Sequence, residues 1–76
     1  MKKITIYSTP TCHYCKVAKE FFDLNGLRYK EIDVQKDIEA RKKMVEISGQ
    51  MGVPVIVIGK KVLNGFSEEI VEAALK

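Results

Sequence analysis

Apolar and polar side chains alternate over residues 3–8, and this period of two residues predicts a β-strand. Ile4 and Ile6 would face one side of a sheet, and Thr5 and Tyr7 would face the other side. A second alternating segment, residues 27–34, contains more charged side chains. Because charged side chains discourage further strand pairing, we expect this segment at an edge of the sheet.

The most apolar segment is residues 53–58, and such a run is typical of a strand that is covered on both faces. Pro54 is unusual near its start, because proline cannot donate a hydrogen bond to a neighbouring strand. Gly59-Lys60 predicts a tight turn, so residues 61–64 would return as a short antiparallel strand.

A period of three to four residues predicts three helices, over about residues 13–25, residues 37–48 and the segment after Ser67. Asp37 and Ser67 suit the N-cap positions, and Gly49 suits a helix end. The order is therefore β-α-β-α-β-β-α, with the first two strands parallel because a helix connects them. The expected buried positions are Val17, Ala18, Phe21 and Phe22 or Leu24 in the first helix, Ala40, Met44, Val45 and Ile47 in the second, and Ile70, Val71, Ala74 and Leu75 in the third.

Length and composition predict one small domain, residues 1–76, with an apolar fraction of 46% that is ordinary for a globular fold. The net charge of +3 is small and mixed along the chain, so the clustered basic face of a nucleic-acid-binding protein is lacking. Lys2-Lys3 precede a strand and not an apolar helix, and no run is long enough to span a membrane. We expect a cytoplasmic monomer without nucleic-acid or membrane partners.

Both cysteines of the chain, Cys12 and Cys15, lie between the first strand and the first helix. A Cys-x-x-Cys motif in a βαβ pattern is typical of thiol–disulfide exchange. Thr11 or Cys12 would begin the helix. Either start leaves Cys12 near unpaired N–H groups and the positive end of the helix dipole, and both favour a thiolate. Cys15, one turn further along, would be more buried. These positions predict that Cys12 attacks a disulfide and that Cys15 resolves the mixed disulfide.

Three side chains near Cys12 carry or can acquire a positive charge: His13, Lys16 and Lys19. A cation close to the sulfur would stabilise the thiolate further, so His13 and Lys16 are candidate tuning residues. Lysines on a helix of this composition are mostly solvated, and we expect this of Lys16 and Lys19. For His13, the sequence does not separate a role at the sulfur from a position in solvent.

Two other uses of the cysteine pair are a structural disulfide and part of a zinc site. A structural disulfide stabilises more when it closes a long loop, and only two residues separate Cys12 from Cys15. A tetrahedral zinc site requires four ligands, whereas the chain has two cysteines and one histidine. Only a dimer would complete that set, so the sequence favours redox chemistry and predicts no metal.

Three segments of the chain together resemble the glutaredoxin family. Residues 11–16, Thr-Cys-His-Tyr-Cys-Lys, are similar to its Thr-Cys-Pro-Tyr-Cys motif, with His13 in place of the proline. Residues 52–54, Gly-Val-Pro, resemble the family's Thr-Val-Pro loop. Residues 64–68 fall where glutaredoxins carry Gly-Gly and an acidic cap, so the resemblance spans essentially the whole chain.

The resemblance implies a thioredoxin-like α/β fold, in which a four-stranded mixed sheet is flanked by three helices. In that fold Pro54 follows a cis peptide bond and faces the cysteines, and the backbone of Val53 pairs with an extended substrate. Tyr14 would flank the bound thiol compound. The rest of the segment that binds substrate or glutathione would consist of Gly65, Phe66 and Ser67.

The chain departs from glutathione-using members of the family at three positions. One is Gln50, which stands before the Val-Pro loop where those members often have a basic residue. Thr9 stands where many have a lysine, and Ser67 stands where they have an aspartate that holds glutathione. Gly65-Phe66 instead resembles the Ser-Gly-Phe segment of ribonucleotide-reductase redoxins, which take electrons from thioredoxin reductase. Tyr14 does not fit the Cys-x-Gln-Cys motif of those redoxins, so the chain lies between the two groups.

The leading hypothesis is a dithiol oxidoreductase that reduces protein disulfides or glutathione mixed disulfides. It would need no tightly bound cofactor, and glutathione is the expected reductant. The alternatives are a redoxin that donates electrons to ribonucleotide reductase, a [2Fe–2S] carrier that uses Cys12 and glutathione between two protomers, and a redox-inert binding module. Cluster carriers more often have one active-site cysteine, and the presence of both cysteines argues against an inert module.

Overall fold

Four strands and three helices make up the computed structural model, which describes residues 3–76. The elements are β1 (Ile4–Ser8), α1 (His13–Leu24), β2 (Lys30–Asp33), α2 (Ile38–Ser48), β3 (Val55–Ile58), β4 (Lys61–Asn64) and α3 (Glu68–Leu75). Their order, β-α-β-α-β-β-α, confirms the prediction from the sequence. Within the described residues, none of the helices combines the length and the apolar character that crossing a bilayer requires.

The strands form one mixed sheet in the order β2-β1-β3-β4. β1 and β2 are parallel, as a helical connection predicts, while β3 pairs antiparallel with both β1 and β4. The charged strand β2 lies at one side of the sheet with a single neighbour, which confirms its expected edge position.

The register brings the carboxyl ends of β1, β2 and β4 together with the start of β3. At this end of the sheet, which we call the carboxyl edge, Ser8 pairs with Asp33, and Val55 pairs with both Tyr7 and Asn64. The loop that carries the cysteines and the proline that precedes β3 therefore meet at the same edge.

Helices cover both faces of the sheet, and each face has its own apolar cluster. On the first face, Phe22 of α1 and Val71 of α3 are fully buried. On the second face, Met44 of α2 lies in a cluster with Tyr7 and Val55. β3 contributes to both clusters, which confirms that it is covered on both faces. The first cluster also contains Ile4, Ile6, Ala18, Ile56, Ile58 and Ala74, and the second also contains Val34.

The second helix begins and ends at the predicted residues. Asp37 is its N-cap, and the carboxylate accepts a hydrogen bond from the N–H of Ala40 at 3.0 Å. Gly49 follows the last turn in the left-handed conformation, with φ of 73°, and its N–H donates to the carbonyl of Val45 at 2.8 Å.

Two strands are shorter than predicted. β2 begins at Lys30 and not at residue 27, because the N–H of Leu27 still donates to the carbonyl of Phe22 at 2.8 Å and closes the end of α1. β3 begins at Val55 and not at residue 53, because Pro54 has no N–H with which to extend the ladder. The other ends agree with the predictions to within one residue.

The buried faces of the helices are narrower than predicted. In α1 the buried positions are Cys15, Ala18 and Phe22, a spacing of three and four residues that defines one stripe. Leu24 is two positions beyond this stripe, on the opposite side of the helix, and 86% of its surface is exposed. Two more residues that were expected to be buried are also exposed, namely Ile47 of α2 and Ile70 of α3.

Candidate active site

The segment between β1 and α1 turns tightly so that Cys12 becomes the N-cap of the helix. Its N–H donates to the carbonyl of Thr9 at 3.3 Å, and its carbonyl accepts from the N–H of Lys16 at 3.4 Å. Its φ and ψ of −83° and 115° are those of an extended residue that precedes a helix. The structure thus confirms that Cys12 lies where the helix begins.

Cys12 and Cys15 form a disulfide, with 5.2 Å between their Cα atoms. The N–H of Cys15 also donates a hydrogen bond to the sulfur of Cys12 at 3.2 Å. Cys12 is half-buried, whereas Cys15 is fully buried. The two sulfurs are therefore within bonding reach of each other, and only the first lies at the surface.

The environment of the Cys12 sulfur favours an anion. It occupies the N-cap position, where a side-chain acceptor takes up an N–H group that has no partner inside the helix. The first turn of α1 contains no acidic residue that would offset the positive end of the helix dipole. A thiolate formed here by reduction would keep the N–H of Cys15 as a hydrogen-bond donor.

The Val53-Pro54 segment lies at the carboxyl edge, beside the end of β1. Their peptide bond is cis, as the resemblance implied. Because Tyr7 pairs with Val55, the register places Pro54 next to Ser8, four residues before Cys12. Pro54 is buried, and the side chain of Val53 packs against the second apolar cluster. None of the backbone hydrogen bonds in the turns and loops of residues 3–76 involves Val53.

Gly65, Phe66 and Ser67 continue from β4 at the same edge. The N–H of Gly65 donates to the carbonyl of Pro54 at 2.9 Å, which ties this segment to the proline. The ring of Phe66 packs edge-on against Phe21 of α1, with 5.7 Å between the ring centres. Ser67 is the N-cap of α3, and its hydroxyl makes no capping hydrogen bond. Phe66 therefore packs against α1, whether or not it also contacts a ligand.

The remaining predicted site residues are on the exposed face of α1. His13, Tyr14 and Lys16 are all exposed, and 62% of the surface of Tyr14 is accessible. The rings of His13 and Tyr14 meet edge to face, with 5.5 Å between their centres. Tyr14 therefore presents its ring to solvent two residues after Cys12, while the tuning roles of His13 and Lys16 stay predictions.

Lys19 is partly exposed and forms an ion pair, so it is less solvated than expected. Its ammonium lies 2.7 Å from a carboxylate oxygen of Glu31 on β2, and the hydroxyl of Ser8 donates to the same oxygen at 2.9 Å. The hydrogen bond with Lys19 is the main cause that lowers the pKa of Glu31. Ser8 is buried at the end of β1, so this cluster ties α1 to the carboxyl edge.

The Ser8–Lys19–Glu31 cluster was missed from the sequence, although a signal was present. Glu31 lies two residues after Tyr29, so both side chains point to the side of the sheet that α1 covers. An acidic side chain on a covered face needs a partner. A lysine on the facing helix is the simplest such partner. Within the described residues, no group of three or more histidine, cysteine, aspartate or glutamate side chains has an arrangement that would hold a metal ion.

Comparison with known proteins identifies the family. The family model described as Glutaredoxin matches residues 4–63. The chain belongs to the glutaredoxin family. It is 36% identical over 73 residues to a glutaredoxin-like 8.6 kDa protein from the rubredoxin operon of Clostridium pasteurianum, covering 96% of this chain and 97% of that one.

Other members of the family show similar agreement. A glutaredoxin from Neisseria meningitidis is 38% identical, over 90% of this chain and 81% of that one. The crystal structure of a glutaredoxin from Archaeoglobus fulgidus superposes with a TM-score of 0.88 at 30% identity, covering 100% of this chain and 88% of that one. These matches confirm the thioredoxin-like fold, and with the Cys12–Cys15 pair they support thiol–disulfide oxidoreductase chemistry in general.

Proposed function

We propose that the protein is a dithiol oxidoreductase that reduces disulfides of proteins or mixed disulfides with glutathione. In the first step the Cys12 thiolate attacks a substrate disulfide, forms a new S–S bond and expels one substrate sulfur as a thiolate. In the second step the Cys15 thiolate attacks Cys12, the mixed disulfide breaks and the second substrate sulfur leaves. Two electrons pass to the substrate, and the Cys12–Cys15 disulfide is the oxidised product.

The observation that carries this proposal is the difference in exposure between two linked sulfurs. Cys12 lies at the surface, at the start of α1, where an incoming disulfide can reach it. Cys15 is fully buried, so it is shielded from external disulfides and placed for the intramolecular step. The N–H of Cys15 supports the attacking thiolate before the reaction and the sulfur of Cys12 after it.

The Val53-Pro54 segment would position the substrate. The backbone groups of Val53 take no part in the loop hydrogen bonds of the described residues, so they suit pairing with an extended chain that carries the disulfide. Such pairing recognises the main chain of the substrate. Tyr14 would flank the bound thiol compound, for example glutathione. This arrangement favours a broad set of disulfide substrates.

Glutathione is the proposed reductant, in a reducing compartment such as the cytoplasm. Thioredoxin reductase is the competing electron source, because Ser67 replaces an aspartate that glutathione-using relatives carry and Gly65-Phe66 resembles the reductase-dependent redoxins. The two sources are distinguished by measuring turnover of one model disulfide with glutathione plus glutathione reductase and, separately, with NADPH plus thioredoxin reductase. Faster turnover in the second system would assign the protein to the redoxins.

The catalytic roles are tested with single cysteine variants. Cys12→Ser is expected to abolish reduction of a model disulfide, whereas Cys15→Ser is expected to accumulate a mixed disulfide at Cys12. Mass spectrometry of peptides from the Cys15→Ser protein locates that adduct. Full activity in Cys12→Ser, or an adduct at any other residue, would refute the assigned roles.

A further inference from the structure

A concave site lies at the end of the sheet opposite the cysteines. It is a cleft of about 520 Å³ between the start of β1, the segment that enters β2 and the end of α3. Its apolar walls are formed by Ile4, Leu27, Tyr29 and Leu75. Volumes of roughly 300–1,000 Å³ with mainly apolar walls are typical of small-molecule sites. The disulfide chemistry described above makes no use of this cleft.

The walls of the cleft are fixed by the rest of the fold. Ile4 is a buried member of the first apolar cluster, and Leu27, Tyr29 and Leu75 pack against that cluster. The ring of Tyr29 lies 5.3 Å from the ring of Phe22, measured between centres. The hydrogen bond from the N–H of Leu27 to the carbonyl of Phe22 holds the entering segment in place. The cleft therefore exists without a ligand.

The rim of the cleft is basic. Lys3, Arg28 and Lys30 line it, and all three side chains are exposed. Two acidic side chains, Asp23 and Glu31, lie close enough to Tyr29 for their charges to act on its hydroxyl, and the charge of Lys19 acts in the opposite sense. Burial, followed by the charges of Asp23 and Glu31, raises the pKa of Tyr29, so the phenol is neutral. Among the described residues that line the cleft, three are basic and none is acidic.

We propose that this cleft binds a small amphipathic anion, with an apolar chain or ring between Ile4, Leu27 and Tyr29 and one carboxylate at the basic rim. Apolar walls select the body of the ligand because they remove its surface from water. The cationic rim selects the sign of the head group. An acidic segment of another protein or a second copy of this chain would need a broader surface than this concave site offers.

The test compares two probes that have similar apolar chains and head groups of opposite charge. Octanoate and octylammonium are titrated into the ¹⁵N-labelled protein, and amide shifts are followed by NMR. Octanoate is expected to give saturable shifts at Leu27, Arg28, Tyr29 and Leu75, with small changes at Cys12. Octylammonium is expected to give shifts that do not saturate over the same range.

Charge variants test the role of the rim. Arg28→Gln is expected to weaken octanoate binding roughly two- to fivefold, the effect of losing one exposed ion pair. Lys61→Gln removes an equally exposed cation from β4, outside the cleft, and should leave the dissociation constant unchanged.

Three results would overturn the proposal. The first is an absence of saturable shifts with octanoate, and the second is equal binding of the two probes. The third is a shift of the same amide signals when only the protein concentration is changed, because that would show a second copy of the chain in the cleft.

Discussion

The backbone N–H of Cys15 points at the sulfur of Cys12 across 3.2 Å, so the residue proposed to finish the reaction also supports the one proposed to begin it. The two roles use different parts of Cys15. Its backbone faces the start of α1, while its side chain is buried. Shifting Cys15 along the helix would therefore disturb both the stabilisation of the thiolate and the resolving step.

The ion pair between Lys19 and Glu31 gives a pH-dependent contribution to stability. Because the folded-state pKa of Glu31 is lowered, this contribution is present above the ordinary glutamate pKa and is lost as the pH falls through the folded-state value. Glu31→Gln is expected to reduce the free energy of unfolding by about 0.5–1 kcal/mol at pH 7, since both partners are partly exposed.

Urea unfolding from pH 7 to pH 3 measures this contribution. The difference between wild type and Glu31→Gln should shrink towards pH 3, whereas an exposed control, Glu46→Gln, should show a small difference at each pH. A Glu31→Gln difference that does not depend on pH would show that the ion pair adds nothing.

The rotation of α1 predicts a contrast between two large apolar residues. Phe22 is fully buried and Leu24 is 86% exposed. Phe22→Ala should lower the free energy of unfolding by about 3–5 kcal/mol because it leaves a cavity. Leu24→Ala should change it by less than about 0.5 kcal/mol. Chemical denaturation of both variants measures the contrast, and similar losses would show that α1 packs with a different face.

The turn after β4 requires a glycine at position 65. Its φ of 97° is a conformation that L side chains rarely adopt, so Gly65→Ala is expected to cost about 1–2 kcal/mol. Gly52→Ala is the matched control, because its φ is not positive and an added Cβ would meet only Gln50, at 3.9 Å. Thermal unfolding compares the two, and equal losses would contradict the assigned backbone conformation.

A substitution at Ser67, the N-cap of α3, is expected to change how well the protein uses glutathione. Ser67 occupies the position at which glutathione-using relatives carry an aspartate, and its hydroxyl makes no capping bond that would be lost. Ser67→Asp should lower the KM for glutathione several-fold and leave turnover with thioredoxin reductase unchanged. Steady-state kinetics in the two coupled assays measure this, and an equal change in both would point to a general effect on α3.

Features that depend on local pattern were predicted well from the sequence. The alternation of Ile4 and Ile6 with Tyr7 assigned these side chains to opposite faces, and the structure confirms both assignments. The helix start was narrowed to Thr11 or Cys12 in the same way, because strand pairing stops near Pro10 and an apolar helical period begins shortly afterwards, and the structure has Cys12 as the N-cap. These features depend only on near neighbours in the chain.

Features that depend on docking between elements were not predicted. Leu24 fits the helical period nearly as well as Phe22, and only the rotation of α1 on the sheet decides which of the two is buried. The contact of Lys19 with Glu31 joins residues that lie 12 positions apart on different elements. A period identifies the candidate faces, whereas the angle at which two elements pack sets the contacts.

The central claim is that reduced Cys12 is a thiolate accessible at the start of α1 while Cys15 is buried. Alkylation of the reduced protein tests this claim most directly. Iodoacetamide is added over a range from mildly acidic to alkaline pH, and peptide mapping follows each cysteine separately. We expect Cys12 to react first, at a pH where an ordinary thiol is still largely protonated, and Cys15 to react slowly throughout. Modification of Cys15 before Cys12, or a Cys12 rate no faster than that of an ordinary thiol, would contradict the account.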